Sequence, residues 1–164
     1  QSHAALPAET DGMIEVKGPN VFKGYWRNPQ KTAEEFTADG WFITGDMGRM
    51  SGDGYVTISG RAKDLVITGG FNVYPKEVEL LIDALPGVAE SAVFGVPHPD
   101  FGEAVTAAVV AKPDAALEEA QMLATLRQHL APFKCPKRII IIKELPRNAM
   151  GKVQKAVLRE QWGT

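Results

Sequence analysis

The sequence predicts an α/β fold of the α+β kind: a small mixed β-sheet with packed helices, preceded by a few strands from the end of a larger N-terminal body. Three observations carry that expectation. Strand-like and helix-like runs alternate after Asp64, whereas short strands and turns dominate before Gly60. Val78, Leu81, Ile82 and Leu85 recur at the spacing of a single helix face. Three apolar, β-prone runs at 92–96, 105–111 and 138–142 read as buried strands.

In chain order, Met13 to Val16 is the first strand, ended by Gly18-Pro19. Asn28-Pro29 opens a helical stretch through Phe36, with proline at the first helical position. Ala38-Asp39-Gly40 is a turn, and Trp41 to Thr44 is apolar and β-prone. Ser51 to Gly54 separates strands at 46–50 and 55–59, which reads as a hairpin. Leu65 to Thr68 is a strand followed by Gly69-Gly70. Tyr74-Pro75 begins the helix with the apolar face. Its Glu77 and Glu79 suit the positive end of the helix dipole, and Pro86-Gly87 stops it. The short Pro97 to Gly102 connection makes its flanking strands antiparallel. A second helix spans Glu118 to Leu130, with Leu123, Leu126 and Leu130 on one side. Arg138 to Ile142 is the last strand, Pro146 to Gly151 a loop, and Val153 to Gln161 the closing helix. The first sixty or so residues hold too few elements for a core of their own, so they are expected to complete a larger body.

Composition narrows the function classes. The chain has 164 residues, 45% hydrophobic and 23% charged, which suits a globular domain plus a piece of another. A net charge of −2 argues against wholesale binding of nucleic acid or an anionic membrane. Cys135 is the single cysteine, so no internal disulfide forms, as fits a reducing, cytoplasmic compartment. No apolar run approaches the roughly 20 residues of a membrane span, and no secretory signal is read. The polar, abrupt start from Gln1 to Thr10 reads as a cut or tagged end.

Familiar motifs fail on inspection. Gly151-Lys152 suggests a phosphate loop, but Pro146 and Val153 occupy the positions where a Walker A motif needs glycine and a hydroxyl residue. Thr57 breaks the dinucleotide pattern begun at Gly52. His3, His98 and His129 show no metal-ligand spacing, so no metal site is expected. One charge signal survives: Lys134, Lys137, Arg138, Lys143, Arg147, Lys152, Lys155 and Arg159 crowd the last part of the chain. That cluster is either a solvated basic face or a surface for a polyanion such as a nucleotide or coenzyme A.

Four segments stand in order: Gly40-Trp41-Phe42-Ile43-Thr44-Gly45-Asp46, Gly60-Arg61-Ala62-Lys63-Asp64, Gly69-Gly70-Phe71-Asn72-Val73-Tyr74-Pro75-Lys76-Glu77-Val78-Glu79, and Pro146-Arg147-Asn148-Ala149-Met150-Gly151-Lys152. Together they resemble the closing motifs of the acyl-adenylate-forming (ANL) superfamily, which includes acyl-CoA synthetases, peptide-synthetase adenylation domains and firefly luciferase. The resemblance spans essentially the whole chain. Around Gly69 to Glu79 and Leu145 to Lys155 the wording is most similar to malonyl-CoA synthetases. The resemblance implies an AMP-forming acid–thiol ligase that uses ATP, with Mg²⁺, and coenzyme A. A carboxylate attacks the ATP α-phosphate, pyrophosphate leaves, and the coenzyme A thiol then displaces AMP to give malonyl-CoA or a related short acyl-CoA. It also implies that residues 1–62 are the remnant of the large N-terminal domain, and that residues 63–164 form a mobile C-terminal lid that turns between the steps.

Roles follow residue by residue from the same resemblance. Asp46 matches the carboxylate that accepts hydrogen bonds from both ribose hydroxyls. Arg61 matches an arginine near the ribose and phosphates. Lys63 matches the hinge, where an exposed polar residue changes its backbone angles without breaking a core contact. Gly69, Gly70 and Phe71 match the loop along the pantetheine tunnel, where the absence of Cβ allows close approach. Phe133-Lys134 is a looser match for the coenzyme's nucleotide end. Lys152 matches the catalytic lysine, whose ammonium offsets repulsion between carboxylate and α-phosphate.

The glycine-rich phosphate loop, adenine segment, Mg²⁺-holding acid and acyl pocket of the family are expected upstream of position 1, so this chain alone is expected to be inactive. Expected partners are the N-terminal domain of the same enzyme and a small carboxylic acid. Two further readings stand beside the ligase: Lys152 as the acylation target of a lysine acetyltransferase and deacetylase, and an adenylating enzyme that does not use coenzyme A.

Overall fold

A three-stranded antiparallel sheet opens the fold in the computed structural model, which describes residues 3–163. Gln1 and Ser2, the head of the polar start noted above, and Thr164 lie outside the described residues. The strands are β1 (Gly12–Val16), β2 (Phe42–Met50) and β3 (Val56–Arg61), in the order β1-β2-β3. The two runs expected on either side of Gly45 are one strand. Gly45 takes φ +74°, and Thr44 Oγ1 knits the irregular place by donating to Ile14 O (2.7 Å) and accepting from Asp46 N (3.0 Å). At Gly48 a Cβ would sit 2.5 Å from the Thr57 carbonyl oxygen, so only glycine lets β2 and β3 approach this closely.

Between β1 and β2 lies helix α1 (Pro29–Glu35), with Pro29 in its first turn and the Asn28 side chain accepting from Lys31 N at 3.1 Å. Phe22 sits at the centre of an aromatic cluster with Tyr25, Phe36 and Phe42, ring centroids 5.0–5.4 Å away and edge-on. No residue before Val66 belongs to the buried hydrophobic core among the described residues, and Trp26, Tyr55, Val56 and Ile58 are exposed.

Contacts divide the chain into two units, the first ending at Lys63 and the second starting at Asp64. A short 3₁₀ turn, Ala62–Asp64, spans the division, and Lys63 is exposed on it.

The second unit is the mixed sheet expected from the sequence. Its strands are β4 (Val66–Thr68), β5 (Phe71–Val73), β6 (Val88–His98), β7 (Gly102–Ala111) and β8 (Arg138–Ile142). β6 and β7 are antiparallel along almost their whole length, whereas β8 runs parallel to residues 106–110 of β7. β4 meets β7 at Thr68↔Gly102 and pairs with β5. Strand alternation sends side chains to opposite faces. Val93, Val105, Ala107 and Val109 join Val66, Val73 and Ile139 in one core, with Val78 and Ile82 of α2 (Pro75–Asp83) and Met122 and Leu126 of α3 (Glu119–Leu126). Ala92, Phe94 and Ala108 face the other way, against Leu145 and Leu158, the latter on α4 (Lys155–Trp162).

Several boundaries depart from the sequence reading: β6 and β7 extend into the expected Pro97 to Gly102 loop, and α2 ends at Asp83, before Leu85. β5 has no counterpart in the sequence pattern: Gly69 (φ +56°) and Gly70 (φ +82°) form the two-residue turn of a β4–β5 hairpin, and three-residue strands are too short to show a period. α3 ends at Leu126, yet Leu130 still packs in the core, and its N–H bonds back to Leu126 O at 2.9 Å. The last helix starts at Lys155, since Val153 instead bridges Arg147 across a turn.

Candidate functional site

In the first unit, β2 and β3 place Asp46 opposite Arg61 as register partners. Arg61 Nε donates to Asp46 Oδ1 at 2.7 Å, and Arg61 Nη1 donates to Thr44 O at 3.2 Å. Two expected nucleotide contacts therefore stand side by side, the carboxylate partly exposed and the guanidinium open to solvent. The arginine occupies one carboxylate oxygen, and the other keeps its lone pairs for further donors.

In the second unit, Lys152 lies on a turn closed by hydrogen bonds. Asn148 Oδ1 accepts from Met150 N and Lys152 N, both at 3.0 Å, and Asn148 N donates to Lys152 O at 3.0 Å. Gly151 takes φ +76°, with its N–H on Asn148 O. Gln154 N donates to Pro146 O, closing the turn before α4 begins. The Lys152 side chain is exposed, and among the described residues its ammonium has no hydrogen-bond or ion-pair partner.

That freedom is shared by Lys143 and contrasts with the other basic neighbours. Lys134 donates to both Glu77 oxygens (2.7 and 2.8 Å), Arg147 pairs with Glu90, Lys155 with Glu79 (2.6 Å), and Arg159 with Asp64 (3.4 Å). Arg138 lies over the Trp162 ring and Lys137 over Phe101. The basic cluster is therefore neither a plain solvated face nor a continuous polyanion surface. Its carboxylate partners lie 57 to 95 residues away in sequence, so no local reading finds them.

The β4–β5 turn presents Gly69, whose N–H donates to Phe101 O at 2.8 Å, and Gly70, where a Cβ would meet nothing. Phe71 is exposed on one side and stacked on Phe133 on the other, centroids 4.6 Å apart and planes 23° apart. Nearby in sequence, Arg127, Leu130, Pro132, Cys135, Pro136 and Lys137 line a cleft of about 330 Å³. Burial pushes the Cys135 thiol up, against an opposing pull from Arg127 and Lys137. Among the described residues, no group of three or more His, Cys, Asp or Glu side chains is placed to hold a metal ion, and no helix is long and apolar enough to cross a membrane.

Residues 77–152 match the AMP-binding enzyme C-terminal domain. Over 150 residues the chain is 51% identical to a 3-[(3aS,4S,7aS)-7a-methyl-1,5-dioxo-octahydro-1H-inden-4-yl]propanoyl:CoA ligase of Rhodococcus jostii (strain RHA1), covering 92% of this chain and 29% of that enzyme. ATP-bound MatB from Rhodopseudomonas palustris superposes with a TM-score of 0.89 at 64% identity, over 96% of this chain and 31% of that one. The amide bond synthetase McbA from Marinactinospora thermotolerans also reaches 0.89, at 36% identity over 97% of this chain and 32% of its own. This chain thus spans about a third of the length of the proteins it matches.

Proposed function

We propose that this chain, which belongs to the acyl-adenylate-forming superfamily and carries its C-terminal domain, serves an AMP-forming acyl-CoA synthetase. Lys152 carries the adenylation step. The substrate carboxylate oxygen forms a bond to the ATP α-phosphorus as the bond to pyrophosphate breaks. Both reactants are anions, and a compact ammonium between them lowers their repulsion and stabilises the charge that gathers on the transferring phosphoryl group. The observation that carries this reading is the Lys152 ammonium itself, exposed and unpartnered on a hydrogen-bonded turn, while four basic neighbours are held in ion pairs.

The remaining residues take complementary parts. Asp46 accepts from the ribose hydroxyls, steadied by Arg61 at 2.7 Å. The Gly69-Gly70 turn offers backbone without Cβ beside the exposed Phe71 ring, as suits the narrow pantetheine arm when the coenzyme A thiol attacks the acyl carbon and AMP departs. Lys63, exposed on the 3₁₀ turn, is the hinge between steps. Mg²⁺ would accompany ATP as the counter-ion of its phosphates. The acid proposed is malonate or a related short acid, on the likeness of the Gly69 to Glu79 and Leu145 to Lys155 wording to malonyl-CoA synthetases. In the full-length enzyme, acid-dependent ATP–pyrophosphate exchange with malonate, followed by coenzyme A-dependent AMP release, is the expected result. Exchange with malonate no greater than without acid would overturn the choice of acid.

A second reading rests on the likeness to an amide bond synthetase: the acyl group passes from the adenylate to an amine instead of a thiol. Exchange activity without any coenzyme A-dependent product would favour it. The same exposed, unpartnered ammonium also suits acylation, which removes its charge and would silence adenylation.

A further inference from the structure

The Lys152 turn is tied to β6 from both sides. On the outgoing side, Lys155 Nζ meets Glu79 Oε1 at 2.6 Å, and that oxygen also accepts from Val93 N of β6 at 2.9 Å. On the incoming side, Arg147 Nη2 donates to the Glu90 carboxylate of β6, and Arg147 Nη1 donates to Gly151 O at 2.7 Å. The carbonyl it grips belongs to the Gly151–Lys152 peptide, whose N–H is held at the other end by Asn148 Oδ1 at 3.0 Å. That peptide is therefore fixed at both its oxygen and its nitrogen.

The grip matters because of Gly151. At φ +76° and with no Cβ, glycine leaves the following peptide plane free to rotate, and a rotated plane would re-aim the Lys152 side chain. Arg147 and Glu90 are both substantially exposed, at 42% and 38% of their side chains, and an ion pair so open to water adds little to stability. The Lys155–Glu79 pair, at 16% and 10%, is the structural one. An arginine that spans two acceptors with two nitrogens of one planar fork uses a geometry a lysine cannot reproduce.

We propose that Arg147 is a positioning residue for adenylation: with Glu90 as its anchor, it holds the Gly151–Lys152 peptide in the one orientation that aims the ammonium. The inference rests on the adenylation role of Lys152 proposed above. Misaiming a reacting group by about an ångström costs up to about 100-fold in rate, so a loosened turn should cost roughly 10-fold or more.

The test uses the full-length enzyme and four variants, Arg147→Met, Arg147→Lys, Glu90→Gln and Lys152→Ala, plus the Arg147→Met/Lys152→Ala double variant. Readouts are kcat and KM for adenylation, the rate of thioester formation from supplied acyl-adenylate, and the thermal midpoint. Arg147→Met should lower the adenylation kcat about 10-fold, with KM for ATP, thioester formation and thermal midpoint unchanged. Arg147→Lys should fail to restore it, and Glu90→Gln should reproduce part of the loss. In the Lys152→Ala background, Arg147→Met should cost nothing more, because there is no ammonium left to aim. Wild-type adenylation in Arg147→Met, or equal loss in both half-reactions with a lowered midpoint, would overturn the inference. Lys152→Ala retaining adenylation would instead overturn the reading beneath it. Should Arg147→Met fail to accumulate, Glu90→Gln decides on the same readouts.

Discussion

At the scale of single residues, charge and burial separate the reactive groups from the structural ones. Lys152 and Lys155 are three positions apart and chemically identical, yet one is free in solvent and the other is locked on Glu79. Nothing local in the sequence distinguishes them. Lys152 stands out through its motif, whereas the pairing of Lys155 depends on a carboxylate 76 residues earlier. Cys135 shows the opposite extreme. It is 5% exposed, and burial raises its thiol pKa despite two nearby cations. Because the thiolate is the nucleophile, iodoacetamide should modify native Cys135 slowly at mildly alkaline pH and rapidly once the chain is denatured. The native thiol keeps its proton where the unfolded thiol has lost it, so this group makes unfolding easier as pH rises above the ordinary thiol range. A native alkylation rate equal to that of the denatured chain would contradict the burial.

Secondary-structure elements were legible in proportion to their length and period. The apolar face of α2, carried by Val78, Leu81 and Ile82 with Leu85 just past the helix end, and the antiparallel β6–β7 pair are legible because each repeats a signal several times. The β4–β5 hairpin is not, since two three-residue strands carry no period, and Gly69-Gly70 alone does not tell a hairpin from an open loop. β6 holds a further constraint invisible to pattern. A Cβ on Gly95 would lie 2.5 Å from Glu103 Oε1 and 3.0 Å from Val66 Cγ1. The Glu103 carboxylate is itself engaged, accepting from Ile67 N at 2.8 Å, so it cannot move away freely. Gly95→Ala should therefore destabilise the second unit by about 1–3 kcal/mol through overpacking. Denaturant titration checks this, and an unchanged midpoint would show that the site relaxes at no cost.

At the scale of the whole molecule, two units of unequal self-sufficiency share one chain. The second has helices on both faces of a mixed sheet and holds every core residue found among those described. The first is a three-stranded sheet with exposed Tyr55, Val56 and Ile58, as expected for too few elements to enclose a core. The fold class followed from the alternation of strand-like and helix-like runs, and the superfamily from the order of four motifs. What the sequence concealed was the long-range pairing that neutralises half of its basic cluster and leaves Lys152, like Lys143, unpaired among the described residues. On the proposed function this one ammonium serves adenylation and not thioester formation. Single-turnover measurement of both half-reactions in full-length Lys152→Ala tests it most directly. Adenylate formation should fall by about 10²–10³, the usual loss for one preorganised donor, while supplied acyl-adenylate is converted at the unaltered rate. Equal loss in the two steps, or none in the first, would contradict the account.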